Sequence, residues 1–229
     1  MTERRRCSLL KERRRVDRLH EIEEDARREG FTTVAGVDEV GRGCLAGPVY
    51  AGAVVLDPAT RVLGIDDSKA LLSEVRERLA PAIRARALGV GIGAATPAEI
   101  DAIGIVEATL LAMRRALLAL VAGGVRPDLV LFDAVHLPGL PMPQRAYIKG
   151  DARVAAISAA SIVAKTERDR LMAGLHQHYP HYGFAAHRGY ATAEHLAALH
   201  RHGPCPLHRL TFEGVLGGAS ASSLSATIS

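Results

Sequence analysis

Residues 36–48 of the chain read Gly36-Val-Asp-Glu-Val-Gly-Arg-Gly-Cys-Leu-Ala-Gly-Pro48, and they are the most informative segment for the fold. Apolar runs on both sides predict two strands joined by its glycine-rich turn. Two adjacent carboxylates, Asp38 and Glu39, stand where the first strand meets that turn. Successive side chains of a strand point to opposite faces, so both acids can serve one centre only if the strand end twists or the centre lies at the sheet edge.

The rest of the chain predicts an α/β protein. Short β-branched or apolar runs alternate with longer stretches of helical periodicity, which is typical of a sheet covered by helices. The predicted strands are residues 33–39, 48–56, 90–95, 128–133 and 146–149. The predicted helices are residues 2–30, 73–86, 97–101 leading into 105–121, 153–178 and 192–202.

Composition and charge limit the class of protein. The 229 residues are 48% apolar and 24% charged, which suits one main folded domain. No apolar run reaches the roughly 20 residues of a membrane span and the charged start has no apolar signal segment, so a soluble, cytoplasmic protein is expected. The net charge of +4 suggests a polyanionic partner. The absence of Trp argues against a single-strand binder that stacks bases on aromatic rings.

Carboxylates also follow two later strand-like runs. Asp133 ends the apolar run of residues 129–132, and Asp151 follows residues 146–149 through Gly150. Each acid taken alone is more typical of an ordinary strand or helix end. As a set, four carboxylates without a neighbouring His or Cys suit Mg²⁺ or Mn²⁺, which prefer oxygen ligands, better than zinc.

Together these motifs resemble one family, type 2 ribonuclease H, or ribonuclease HII. The resemblance covers roughly residues 33–213 and depends on an ordered set of motifs. The set is Asp38-Glu39-Val-Gly41-Arg42-Gly43 with Gly47-Pro48, Asp67-Ser68-Lys69, Phe132-Asp133, Lys149-Gly150-Asp151, residues 158–165, and His187-Arg-Gly189-Tyr190. The Gly-Arg-Gly turn distinguishes the chain from the sister type, ribonuclease HIII, which also carries a separate N-terminal substrate-binding domain.

The resemblance implies a ribonuclease H-like fold, a central mixed β-sheet flanked by helices with a small C-terminal helical segment. It implies an endoribonuclease that hydrolyses the RNA strand of RNA–DNA hybrids. It also implies nicking on the 5′ side of ribonucleotides embedded in duplex DNA, which leaves 3′-hydroxyl and 5′-phosphate ends. Asp38, Glu39, Asp133 and Asp151 match the family's four acidic positions, which are catalytic and hold two divalent ions, Mn²⁺ or Mg²⁺.

The same resemblance implies a set of substrate-binding residues. The glycines of Gly41-Arg42-Gly43 would let the backbone approach the minor groove, where the 2′-hydroxyl is displayed. Tyr190 would pack its ring against the deoxyribose that follows the ribonucleotide. The expected phosphate contacts, which position a duplex without reading its sequence, are Ser68, Lys69 and Lys165.

Composition and the resemblance together predict how the chain is organised. Residues 1–30 are expected to form a basic N-terminal helical extension, and residues 31–215 a ribonuclease H-like catalytic domain whose C-terminal helical part covers about 167–215. Residues 216–229 form a Gly/Ala/Ser tail with too little apolar mass to fold. One compact nuclease domain needs no partner subunit, so a monomer is expected.

Two residues depart from the family pattern. Cys44 follows the Gly-Arg-Gly turn where Pro or another small residue is usual, and Ala134 follows Asp133 where Gly is usual. If the position after Asp133 requires a positive φ, alanine there costs about 1 kcal/mol and can shift the neighbouring carboxylate.

Three alternatives stay open on the sequence. Eight of the ten histidines lie between His176 and His208, and Cys205 and His208 have a C-x₂-H spacing, so a zinc-binding module is a rival, although the spacings match no finger pattern. A nucleic-acid-binding protein without catalysis is a second, against which all four acids argue. A nuclease of the same fold that acts on DNA alone is the third.

Overall fold

The computed structural model describes residues 3–216, and its centre is a mixed five-stranded sheet. The strands are β1 Val34–Val40, β2 Val49–Leu56, β3 Ala87–Ala95, β4 Leu129–Asp133 and β5 Gln144–Tyr147. Their order in space is β3-β2-β1-β4-β5. β1, β2 and β3 pair antiparallel, whereas β4 lies parallel to β1 and β5 parallel to β4. The predicted mixed sheet flanked by helices is confirmed.

Six α-helices accompany the sheet in the described part of the chain. They are α1 Glu3–Arg28, α2 Ser73–Arg86, α3 Pro97–Ala122, α4 Ala155–Leu175, α5 Phe184–His187 and α6 Ala193–His202. Short 3-10 turns cover Gly150–Ala152 and Pro180–Tyr182. Among residues 3–216 no helix has the length and apolar character that crossing a membrane requires.

Several boundaries differ from the sequence prediction, and two of the differences have a local reason. The two predicted helical pieces before residue 122 form one element, α3, which kinks at Gly104 (φ 81°, ψ 158°). The last strand ends at Tyr147. Asp151 therefore lies in the following 3-10 turn, which begins after Lys149 adopts a left-handed conformation (φ 57°).

Close helix–sheet packing places α4 directly behind β1. A Cβ on Gly36 of β1 would lie 2.2 Å from the backbone carbon of Ala156 in α4, so only glycine allows this approach. α3 covers the other face in the same way, because a Cβ on Gly91 of β3 would lie 2.1 Å from the carbonyl oxygen of Ala116. The alanine-rich sequence of α4 suits contact at backbone distance.

The N-terminal helix α1 supports the loop and helix that lead to the acids. Glu12 accepts a hydrogen bond from the backbone N–H of Gly64 (2.9 Å), and Arg15 donates to the carbonyl of Ile65 (2.7 Å). Further along α1, the buried Glu23 accepts from the backbone N–H of Ala156 (2.8 Å) in the first turn of α4. At the other end of the chain, all of the predicted tail after residue 216 lies outside the described residues.

A small second core joins the C-terminal helices to the glycine-rich turn. α5 and α6 pack around Tyr182, Phe184 and Leu199. An isolated β-bridge pairs Ala46 of the turn with His208. This packing brings residues 187–190 beside the end of β1.

Candidate active site

Parallel pairing of β1 and β4 brings the predicted acids together. The register pairs Val37 with Phe132, and its continuation by one residue sets Asp38 opposite Asp133. Asp38 is buried (4% exposed), Asp133 is half-buried at the end of β4, and Asp151 is buried in the next turn. Asp38, Glu39, Asp133 and Asp151 are called the carboxylate edge below.

Each acid of the carboxylate edge has a defined contact. Asp38 accepts from the backbone N–H of Glu39 (2.8 Å), and Asp133 accepts from the backbone N–H of Gly150 (2.8 Å). Cationic side chains lie beside the other two: Lys69 Nζ is 3.2 Å from Asp151, and Arg42 Nη1 is 3.4 Å from Glu39.

One cavity of about 210 Å³ collects the predicted site residues, because every one of them except Asp151 lines it. Both Asp38 and Glu39 reach this cavity although they are neighbours on a strand. Asp151 lies next to it, linked through Lys69. The residues of the lining are Asp38, Glu39, Val40, Gly41, Arg42, Gly43, Ser68, Lys69, Asp133, Ser161, Lys165 and Tyr190.

Burial and mutual repulsion raise the pKa values of these acids. Burial, reinforced by Glu39, raises the pKa of Asp38 to about 8, although Ser161 opposes the shift. Burial raises the pKa of Glu39 against the effect of Arg42, and burial raises the pKa of Asp133 against its bond from Gly150. The cavity therefore holds ionisable groups that a nearby cation would stabilise in their charged form.

The donor set fits hard divalent cations. Carboxylate oxygens are the ligands that Mg²⁺ and Mn²⁺ prefer. Two of the four acids already form ion pairs with cationic side chains, Asp151 with Lys69 and Glu39 with Arg42. Within residues 3–216 no three His, Cys, Asp or Glu side chains are already arranged as a metal cage.

Backbone strain is concentrated around the site. The non-glycine residues with positive φ in the described chain are Ala134 (51°), Lys149 (57°) and Arg188 (54°). Ala134 follows Asp133, Lys149 stands two residues before Asp151, and Arg188 stands two residues before Tyr190. The position after Asp133 thus has a positive φ, and Ala134 occupies a left-handed conformation that costs about 1 kcal/mol.

Two buried arginines hold the glycine-rich turn by its carbonyl oxygens. Arg168 donates to the carbonyls of Pro48 (2.9 Å) and Ala46 (3.0 Å), and also to that of Arg188. Arg209 donates to the carbonyls of Gly41, Arg42 and Gly47, at 2.6 to 3.0 Å. Burial lowers the pKa of Arg209 to about 10, so it remains charged at neutral pH. We call Arg168 and Arg209 the anchor arginines.

The anchor arginines also explain Gly41. Its φ is +89°, and a Cβ there would lie 2.2 Å from Nε of Arg168. Sequence reasoning missed both arginines. A signal existed for Arg168, because residues 161, 165 and 168 share one face of a helix, Lys165 is a predicted site residue and Ser161 lies in the same motif. For Arg209, in an irregular segment, the sequence holds no comparable signal.

The remaining predicted residues occupy different positions around the cavity. Tyr190 is 41% exposed, and its ring centroid lies 5.3 Å from Lys165 Nζ. Lys165 itself is paired with Asp169 (2.7 Å). Ser68 is buried and hydrogen bonded to Ser161 (2.8 Å), whereas the side chain of Lys69 is 77% exposed. Gly41–Gly43, the segment from Gly189 to Tyr190 and the anchor arginines are called the tyrosine edge below.

The histidine-rich segment gives no support to a zinc module. Both ring nitrogens of His208 are within hydrogen-bond distance of protein atoms, Nε2 of His195 (3.0 Å) and the backbone N–H of Cys205 (2.9 Å). Within residues 176–208 no three His, Cys, Asp or Glu side chains are arranged to hold a metal ion. These histidines belong to the hydrogen-bond network beneath Tyr190.

Comparisons with known proteins agree with this architecture. The family model for Ribonuclease HII matches residues 35–215. A Ribonuclease HII of Chloroflexus aurantiacus is 52% identical over 200 residues, which are 85% of this chain and 93% of the relative. A Ribonuclease HII of Acidovorax sp. (strain JS42) is 57% identical over 182 residues, which are 80% of this chain and 86% of the relative.

A solved structure agrees as well. The crystal structure of the ribonuclease H2 from Pyrococcus horikoshii OT3 is similar with a TM-score of 0.68 and 27% identity, covering 80% of this chain and 95% of that chain. This similarity confirms the predicted ribonuclease H-like fold. The chain therefore belongs to the ribonuclease HII family, and it is a metal-dependent nuclease of the kind that cleaves RNA in RNA–DNA hybrids.

Proposed function

We propose that the carboxylate edge holds two divalent ions, Mn²⁺ or Mg²⁺, and that the enzyme nicks duplex DNA on the 5′ side of an embedded ribonucleotide as well as cutting the RNA strand of hybrids. One observation carries the proposal: a single cavity is lined by Asp38, Glu39 and Asp133 on one side and by the glycine-rich turn and Tyr190 on the other. Acids for metal-dependent hydrolysis thus face a surface suited to a sugar–phosphate chain.

The acids would act as ligands. Asp38, Glu39, Asp133 and Asp151 supply oxygens whose repulsion a bound cation relieves, and Lys69 would give up its contact with Asp151. When bound, the two ions would supply Lewis-acid stabilisation for the attacking water and for the leaving 3′-oxygen. The new bond forms between water oxygen and phosphorus and the P–O3′ bond breaks, which gives the 5′-phosphate and 3′-hydroxyl ends.

The glycine-rich turn would bind the ribonucleotide. Its carbonyls at Gly41 and Arg42 point toward Arg209. A Cβ on Gly43 would meet no protein atom within 4 Å, so the outer face of the turn is open to a ligand. A bare backbone can approach the minor groove and the 2′-hydroxyl more closely than one with side chains.

Tyr190 and the polar residues around it would orient the duplex. The partly exposed ring of Tyr190 can pack on the deoxyribose after the ribonucleotide. Lys69 and Lys165 border the cavity and are suited to phosphate contacts, which position a duplex without reading its sequence. Ser68 is buried on Ser161, so its contribution to phosphate binding would come from the cavity wall and not from an exposed side chain.

The same proposal covers the organisation of the chain. Residues 1–30 would be a basic extension, residues 31–215 the catalytic domain with its C-terminal helical part from about 167, and residues after 215 a tail. The enzyme would act as a monomer, because the site is lined by one chain. The proposed place of action is the cytoplasm.

The deciding experiment is cleavage of a labelled DNA duplex that contains one ribonucleotide, beside an all-DNA duplex and an RNA–DNA hybrid, with Mn²⁺, Mg²⁺ or chelator. Asp133→Asn removes one proposed ligand, and Glu107→Gln, on an exposed turn of α3, removes the same charge away from the site. We expect a metal-dependent nick 5′ to the ribonucleotide, lost in Asp133→Asn with duplex binding retained, and kept in Glu107→Gln.

Other outcomes would contradict particular parts of the proposal. Equal cutting of all-DNA would show a nuclease of different substrate class on this fold. Cleavage of the hybrid without a nick at the single ribonucleotide would restrict the activity to hybrids. Near-normal turnover in Asp133→Asn would mean that the metal ligands are assigned wrongly.

A further inference from the structure

Two buried histidines, His195 and His208, and the half-buried His187 lie beneath Tyr190. His195, the third residue of α6, is fully buried, and His208 is nearly so. The ring of His187 stacks on that of His195 with centroids 4.4 Å apart. Their ring nitrogens contact one another or backbone groups, so the cluster is a connected hydrogen-bond network and not a set of separate core residues.

The hydrogen bonds determine the tautomer of His208. The backbone N–H of Cys205 donates to His208 Nδ1 (2.9 Å), and an N–H cannot reverse its role, so Nδ1 is the acceptor. The contact of the same nitrogen with the carbonyl of Cys205 is longer, at 3.3 Å. In the neutral ring the proton must then be on Nε2, which points at His195 Nε2 at 3.0 Å.

The tautomer of His195 follows from that of His208. Because His195 Nε2 accepts from His208, the proton of a neutral His195 is on Nδ1. Nδ1 lies 2.8 Å from the backbone carbonyl oxygen of Tyr190 and therefore donates to it. Burial lowers the pKa of His208 to about 4 and also lowers the pKa of His195, so both rings are neutral near pH 7.

The bond from His195 completes the fixation of the Tyr190 backbone. The N–H of Tyr190 donates to the carbonyl of His187 (2.9 Å), and its carbonyl also accepts from the N–H of Thr192 (2.9 Å). The preceding residue, Gly189, donates to His187 Nδ1 (3.2 Å). The strained φ of Arg188 just before it makes such fixation necessary.

We propose that His195 is a positioning residue for Tyr190, and that His208 acts by holding His195 in the tautomer that donates to the Tyr190 carbonyl. The proposal rests on the proposed role of Tyr190 against the sugar at the ribonucleotide junction. His195 touches no substrate in this account. It acts through the backbone of Tyr190, which places the tyrosine ring at the edge of the cavity.

Two variants of similar size separate positioning from general support. His195→Asn keeps an amide N–H at the place of Nδ1 and so retains the bond to the Tyr190 carbonyl. His195→Gln places its amide near the position of Nε2, where it can still bond to His208 but not to Tyr190. If His195 only holds the C-terminal segment together, the His195→Gln variant should cleave faster than the His195→Asn variant. If His195 positions Tyr190, the His195→Asn variant should be the faster of the two.

The experiment compares single-turnover cleavage of a DNA duplex with one ribonucleotide by the full-length enzyme, its His195→Asn and His195→Gln variants, and both variants combined with Tyr190→Ala. We expect His195→Gln to lower the rate about 10-fold and His195→Asn to stay within about 3-fold of the wild type, since small displacements of a positioning group have large kinetic effects. In the Tyr190→Ala background the two should agree within about 2-fold, because the coupling then disappears.

A second measurement does not depend on activity. Nitrogen-15 NMR of the histidine rings in the wild type should show His195 protonated at Nδ1 and His208 at Nε2. The opposite tautomers, a rate for Gln equal to or above that for Asn, or a difference that persists without the Tyr190 ring would each overturn the proposal. A wild type that does not cut at the ribonucleotide would overturn the proposed function instead, and the NMR result would still decide whether the network exists.

Discussion

The two edges of the cavity are built on opposite electrostatic principles. The carboxylate edge buries acids with few partners, and burial raises the pKa of three of them. The tyrosine edge contains two buried arginines that donate hydrogen bonds to backbone carbonyls. Neutral histidines of defined tautomer lie beneath it. The first edge is left poised to take up cations, and the second is rigid before any ligand arrives.

The comparison shows which buried charges destabilise this fold and which stabilise it. Uncompensated buried carboxylates destabilise a folded chain but serve a metal-dependent reaction. Buried guanidinium groups with satisfied donors fix a turn whose glycines could otherwise adopt many conformations. Substitutions should therefore separate the edges: activity and stability change in opposite directions at the carboxylate edge and in the same direction at the tyrosine edge.

The largest effect is expected for Asp38→Asn. Loss of one proposed metal ligand should reduce turnover about 10³-fold or more. The same change should raise the free energy of unfolding of the chelator-treated protein by about 1 kcal/mol or more at pH 7, because it removes a buried ionisable group beside Glu39. Chemical unfolding and cleavage rates test the two parts. A loss of stability would show that the carboxylate is fully satisfied by its present contacts.

Arg209→Met should have the opposite stability effect. It leaves the carbonyls of Gly41, Arg42 and Gly47 without their donor, and we expect the free energy of unfolding to fall by about 4 kcal/mol, with cleavage impaired as well. Arg201→Met, on the exposed side of α6, is the matched control and should change stability by less than about 0.5 kcal/mol. Equal effects of the two substitutions would refute the anchoring role.

Glu23 extends the carboxylate pattern to α1 and gives a pH dependence. Burial raises its pKa to about 7, and one of its oxygens has no hydrogen-bond partner in the described structure. Because the pKa of Glu23 is higher in the folded state than in the unfolded state, ionisation of this acid destabilises the fold. The free energy of unfolding should therefore decline as pH rises from about 4.5 to 7, by up to about 3 kcal/mol.

The matching variant is Glu23→Gln, which keeps an acceptor for the N–H of Ala156. Urea unfolding at pH 5 and pH 7.5 should show that the wild type loses stability relative to this variant at the higher pH. A constant difference between the two proteins across that interval would mean that Glu23 titrates normally.

The smallest effect is expected for Ala134→Gly. Glycine relieves the left-handed conformation after Asp133 but adds entropy to the unfolded chain, so we expect a net gain of at most about 0.5 kcal/mol in the free energy of unfolding. Ala102→Gly, at an exposed helical position of α3, should instead lose stability. Melting temperatures of both variants measure the contrast, and a loss in Ala134→Gly would rule out strain at this position.

Prediction from sequence succeeded where the signals are local. The alternating and apolar runs around Asp38 and Asp133 predict strands that the structure contains, with ends displaced by at most one residue. The helix over residues 73–86 has the predicted bounds. Asp151 was predicted just after a strand, but the left-handed Lys149 and a 3-10 turn intervene. Such a turn depends on the packing of α4 behind it, for which residues 146–151 carry no pattern.

The site was predicted as a set of residues but not as a geometry. Motif order identified the acids, the glycine-rich turn and Tyr190 by resemblance, and these residues line or adjoin one cavity. Whether neighbouring Asp38 and Glu39 could face one centre was undecidable from strand alternation. In the structure both side chains line one cavity, and the register between β1 and β4 sets Asp38 beside Asp133; both are properties of the assembled sheet.

The class of fold and the glycine-rich turn follow from the amino-acid sequence alone, because strand periodicity and turn chemistry act between near neighbours in the chain. The four acids follow from the order of the motifs and their resemblance to the family. What holds these parts in place depends on tertiary contacts. Arg209 reaches Gly41 across 168 residues, Lys69 reaches Asp151 across 82, and Glu23 reaches Ala156 across 133. Contacts over such separations exist only after the sheet and helices have packed. Burial of a charged group is unfavourable unless hydrogen bonds or ion pairs compensate it, so these contacts matter only in the folded chain.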